Sequence, residues 1–111
     1  MTESDGHQPI PVLTVSEEAA RRIRTDLAKR DLANTPVRLV FHIKDEQPLH
    51  GLIPESKAKP HDTVVSHHGV TFLIDSDTLP LVRGSHIYCD PTDSASEIEV
   101  ANPNIRIQGE S

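Results

Sequence analysis

The stretch from Gly69 to Cys89 constrains the fold more than any other part of the chain. Val70, Phe72 and Ile74 alternate with Thr71, Leu73 and Asp75, the period-two pattern of a strand with one apolar and one mixed face. Asp75, Ser76, Asp77 and Thr78 then supply acceptors for a turn or a helix N-cap. Leu79 to Val82 is apolar and long enough for a single helical turn, with Pro80 in the first turn, where a missing N–H costs nothing. Gly84 ends that turn. Ser85 to Asp90 reads as a returning strand with Ile87 and Cys89 on one face. A strand, a turn of helix and a second strand make a unit on which other segments lay their apolar faces.

Those segments are recognisable in chain order. Residues 1–9 read as a disordered tail, residues 10–104 as one domain and residues 105–111 as a flexible tail. Val12 to Val15 suits a short edge strand. Ser16 is an N-cap for a helix over about residues 17–31, with Glu17 and Glu18 favourably placed at its positive end. Ala20, Ile23 and Leu27 share one helical face. Arg21, Arg22, Arg24, Lys29 and Arg30 occupy the rest as a solvated face or, in a sharper reading, as a docking surface for an acidic partner. Val37 to Ile43 alternates as a strand. Lys44 to Lys59, with Pro48, Gly51 and Pro54, reads as a long loop with room for a short strand near Leu49 to Ile53. Asp62 to Ser66 and the Val70 strand form a hairpin about His67-His68-Gly69. Glu97 to Ala101 is the last strand, stopped by Asn102-Pro103-Asn104.

Charge and composition exclude several roles. A net charge of -6 argues against nucleic-acid binding as the main role, since phosphates need a basic face, and against an anionic membrane surface. Apolar runs are far too short for a membrane span and the N-terminus lacks the pattern of a signal peptide, so a cytoplasmic location is expected. Cys89 is the one cysteine, which excludes an internal disulfide and an all-cysteine metal cage within one chain. Its place beside Ile87 suits a small core side chain. No catalytic constellation stands out: Ser76 between Asp75 and Asp77 is better explained by capping, and the glycines are scattered. The chain is expected not to be an enzyme.

Taken together, a Leu-Thr-Val-Ser opening leads into an Ala-rich helix, a Val-Arg-Leu strand and an irregular loop with a glycine. A Gly-Val-Thr-Phe-Leu-Ile-Asp strand, a short apolar turn, a Gly-Ser-His-Ile-Tyr strand and Asn-Pro-Asn follow. From about Val12 to Asn104 this order resembles the HesB/IscA-like, or A-type, iron–sulfur cluster carrier domain. The resemblance implies a mainly β (α+β) fold: two small mixed β-sheets forming a compact pseudobarrel, one long N-terminal helix and a short helical turn.

The resemblance also implies chemistry that this chain departs from. The family's three cysteines sit in the loop after the Val-Arg-Leu strand and, as a Cys-Gly-Cys pair, shortly after Asn-Pro-Asn. Thiolates are the soft ligands that iron–sulfur clusters need. If Gly51 matches the family's loop glycine, the cysteine position falls on Leu49, beside His50. After Asn104 the chain reads Ile-Arg-Ile-Gln-Gly-Glu-Ser. All three ligands are absent. The implied role is an accessory or protein-interaction module related to the carriers, with no cysteine-bound cluster and no cofactor. Its partner would be an iron–sulfur apoprotein or an assembly factor, and it would be a monomer or homodimer. The expected contact residues are Arg21, Arg22, Arg24, Leu49, His50 and Gly51. The alternative is a mononuclear iron or zinc site built from His42, His50, Asp45 and Glu46, because imidazole and carboxylate can replace thiolate.

Overall fold

The computed structural model describes residues 11–93 and 97–105; apart from Ile105, the two expected tails lie outside them. The described chain runs β1 (Leu13–Val15), α1 (Glu17–Lys29), β2 (Val37–Lys44), β3 (Gln47–Pro54), β4 (Thr63–His67), β5 (Val70–Ile74), α2 (Leu79–Val82), β6 (Ser85–Tyr88) and β7 (Glu99–Ala101). The strands form two mixed sheets, ordered β1-β6-β7 and β3-β2-β5-β4. β1 lies parallel to β6, and β2 parallel to β5; the other pairings are antiparallel. The mainly β architecture and the two small mixed sheets are those expected.

The Gly69–Cys89 unit is the centre of the core. Phe72, Ile74, Val82 and Ile87 are fully buried, and Leu13, Ala19, Ala20, Ile23, Leu27, Val37 and Leu39 pack into the same cluster from both sheets and from α1. Each such Leu, Ile or Phe contributes about 1.5–3 kcal/mol over its exposed state. Cys89, just past β6, is a buried free thiol in this cluster. Ser85 Oγ is also buried and has no hydrogen-bond partner among the described residues.

Local chemistry explains the element ends. Ser16 Oγ accepts from the Ala19 N–H at 3.1 Å and caps α1. The helix stops at Lys29, two residues before the expected end, as Asp31 turns to a positive φ of 61°. Asp75 Oδ1 accepts from the Thr78 N–H at 2.8 Å, which sets up α2 with Pro80 in its first turn. The β4–β5 hairpin closes through His68 and Gly69, both at positive φ, with His67 opposite Val70. β6 and β7 are shorter than expected, ending at Tyr88 and starting at Glu99; Ile98 packs on the core outside the ladder.

One expectation is corrected outright. Lys44 to Lys59 is not a long loop. Its middle is β3, eight residues paired in full with β2 from Val37 opposite Pro54 to Lys44 opposite Gln47. Only Asp45 and Glu46 form the turn, both at positive φ (52° and 64°). Pro48 and Pro54 look like breakers, yet both fit. Glu55 N–H donates to Pro36 O at 2.9 Å, which extends the β2–β3 ladder by one step. Alternation from that bond aims the backbone N of residues 48, 50, 52 and 54 away from β2. β3 is the edge of its sheet, so a proline there forfeits no ladder bond.

Candidate functional site

Residues Leu49, His50 and Gly51 lie in the middle of β3, and the fold carries Asn102-Pro103-Asn104 to their side. His50 Nε2 is 3.1 Å from Asn102 Nδ2, which also donates to Leu81 O at 2.8 Å. Asn102 Oδ1 accepts from Asn104 N and Nδ2 at 2.9 and 3.0 Å. Asn104 Nδ2 further donates to Arg83 O at 2.9 Å. The two asparagines thus satisfy carbonyls at the end of α2 and tie that end to β3. With its amide fixed from both sides, Asn102 can only donate to His50. The imidazole therefore accepts at Nε2 and carries its proton on Nδ1.

The surroundings of this junction are apolar. The rings of Phe41 and His50 are 4.9 Å apart and tilted by 47°. Partial burial holds the His50 pKa below its ordinary value, because the charged form loses water. Ile43, at 66% exposure, shares the Phe41 and His50 face of the hairpin, and Leu81 is exposed on α2. Opposite residues on neighbouring strands point to the same face, so Leu49 lies on the other face with His42.

That alternation separates the residues of the expected metal site. His50 is opposite Phe41 and His42 is opposite Leu49, on two faces of one ladder, while Asp45 and Glu46 stand at the exposed turn. Among the described residues no three His, Cys, Asp or Glu side chains gather closely enough to hold a metal ion.

The three arginines expected to form a docking face are engaged within the chain. Arg21 donates to Glu18, and Arg24 donates to His68 O. Arg22 donates to Glu18 at 3.0 Å and to Asp90 O and Asp93 O at 3.0 and 2.8 Å, pinning the segment after β6 to the helix. Of the three, Arg22 alone borders the 160 Å³ cleft between α1 and β3 that Leu52, Pro54 and Ile98 line.

Sequence reasoning missed the charged cluster that shapes the other side of β3. Arg38, buried on β2, holds Asp62 through Nη1 and Nη2 at 2.9 and 2.7 Å, and Glu55 through Nε and Nη2 at 2.9 and 2.7 Å. The guanidinium holds the Asp62 carboxyl down at a pKa of about 2 and lowers that of Glu55. Lys59 N–H adds a bond of 2.6 Å to Asp62. This triad fastens the 55–62 segment over Arg38 and the buried Leu73 opposite it. A charged residue within an alternating apolar strand was the available signal.

Solved structures resemble this arrangement over nearly its whole length. The crystal structure of Escherichia coli SufA, involved in biosynthesis of iron–sulfur clusters, matches with a TM-score of 0.68 and 21% identity, over 84% of this chain and 87% of that one. The crystal structure of IscA with the [2Fe-2S] cluster gives 0.66 and 19%, over 83% and 86%. The chain has the HesB/IscA-like fold. A solution NMR structure of a protein from Aquifex aeolicus is similar too, at 0.62 and 18%, over 89% and 99%. No protein-family model matches the sequence, nor does any curated protein.

Proposed function

We propose that this chain is a protein-contact module on the HesB/IscA-like scaffold, acting beside iron–sulfur protein maturation and carrying no cluster through cysteines. The observation that carries the reading is the junction of β3 with Asn102–Asn104. It joins the middle of β3 to the Asn-Pro-Asn segment through His50 and Asn102, which supports the reading in which Gly51 matches the carriers' loop glycine and Leu49, beside His50, takes the cysteine position. Cys89, the one thiol, is buried in the core away from them. Exposed Ile43, on the His50 face of the hairpin, and exposed Leu81 suit contact with another protein. The module is not catalytic. It is cytoplasmic, and no helix of the described residues is long and apolar enough to cross a membrane.

Two measurements test this. After anaerobic incubation with iron and sulfide, the protein is expected to remain colourless; a stable brown species with about two irons per dimer removes the reading. Titration with a [2Fe-2S] ferredoxin apoprotein is expected to shift backbone amide resonances around Ile43, His50 and Leu81. An unchanged spectrum with this and with scaffold-type assembly proteins removes the link to iron–sulfur maturation.

A further inference from the structure

The free edge of β3 is chemically specific. Its outward backbone groups belong to Pro48, His50, Leu52 and Pro54, as the Pro36–Glu55 bond fixes. Four carbonyls face out, but only His50 and Leu52 offer an N–H. Among the described residues no strand pairs with this edge.

We propose that the β3 edge accepts an extended segment of a different protein, which adds to the sheet as an antiparallel strand centred on Gly51. This rests on the reading as a protein-contact module and names how the partner is held. A second copy of β3 answers the edge only in part. With His50 opposite His50 the Pro54 carbonyls find no strand donor, with Leu52 opposite Leu52 the Pro48 carbonyls find none, and with His50 opposite Leu52 both sets are left facing each other. A partner strand with an N–H at every position answers all four carbonyls and both donors. The side chains agree with that centre. Leu49 and Ile53 are 40% and 49% exposed on one face, two residues either side of Gly51. Gly51 leaves a notch between them whose floor is Val40; a Cβ built at Gly51 would lie 3.1 Å from Val40 Cγ2. The residue opposite Gly51 in an added strand points to that same face. A β-branched or aromatic side chain fills the notch and covers both flanking apolar groups.

The test uses the whole chain. Random peptides of about seven residues are panned against it. The expected set lacks proline and carries a bulky apolar residue at its centre. Amide hydrogen exchange with a synthetic enriched peptide is expected to slow at His50 and Leu52 by about tenfold or more. Leu49→Lys, an exposed position, is expected to weaken that peptide's binding about tenfold. No enrichment, unchanged exchange at both amides, or protection of both amides by self-association without peptide overturns the proposal. If ferredoxin apoprotein shifts Ile43 and Leu81 while the edge amides stay unprotected, the module reading stands and the edge proposal falls.

Discussion

Arg38 and Asp62 form a two-pronged ion pair, Nη1 to Oδ1 at 2.9 Å and Nη2 to Oδ2 at 2.7 Å, with both side chains at 5% exposure or less. Arg38→Met roughly keeps the length of the side chain and removes its charge, leaving Asp62 buried without its counter-charge and held only by the Lys59 N–H. Urea denaturation is expected to show a loss of about 3–5 kcal/mol. A loss under about 1 kcal/mol would mean the triad is only a solvated pair.

The same pair sets an acid limit. The folded-state pKa of Asp62, about 2, lies below its ordinary 3.8, so the pair's contribution is fully present above pH 4. It fades as pH falls from about 4 towards 2, as protons bind the unfolded chain first. The total is on the order of 2 kcal/mol. Stability of the wild type and of Asp62→Asn, followed by circular dichroism against pH, is expected to converge across that window. A constant gap down to pH 2 contradicts the assignment.

His50 is expected to titrate below the ordinary imidazole value of about 6.5, with Nδ1 protonated in its neutral form. Here too the folded-state pKa is depressed, so stability is full above the unfolded pKa and declines as pH falls from there to the folded value. Asn102→Asp replaces the amide donor with a carboxylate and is expected to move the His50 midpoint upward. Nitrogen-15 NMR of the ring reads both the tautomer and the midpoint; a midpoint at or above 6.5 in the wild type denies the burial effect.

Ser85 gives a prediction of opposite sign. Its hydroxyl is buried without a partner among the described residues, a state that costs about 1–3 kcal/mol. Ser85→Ala is expected to raise stability by about 1 kcal/mol. A loss of that size would reveal a hydrogen bond through bound water.

The β2–β3 turn offers another gain. Asp45 and Glu46 hold left-handed backbone that glycine adopts freely. Glu46→Gly is expected to stabilise the hairpin by about 1 kcal/mol, read as a higher urea midpoint with an unchanged slope.

The sequence was most legible where side chains alternated against one core. Val70–Ile74, Val37–Lys44 and the Ala20, Ile23, Leu27 face of α1 all lie where their patterns place them. β3 was illegible for physical reasons. Its prolines are tolerated only because their nitrogens face outward, and its turn uses Asp-Glu where Asn-Gly is usual. The site was half legible. Leu49, His50 and Gly51 were singled out, but strand alternation, invisible while the segment read as a loop, puts His42 and His50 on opposite faces. Arg22 and Arg24 looked available because acceptors they use, the carbonyls of His68, Asp90 and Asp93, are distant in sequence, whereas the pairing of Arg21 with Glu18 is local.

The parallel pairing of β1 with β6 has a consequence for synthesis. Thr14 meets His86, 72 positions later, and among the described residues β1 has no other strand neighbour. At about 5–20 residues per second, a ribosome takes roughly 4–14 s to make that span. Until then the nascent first strand has no ladder to join, whereas α1 can already pack on β2 and β5, so the smaller sheet is the part of this protein that closes last.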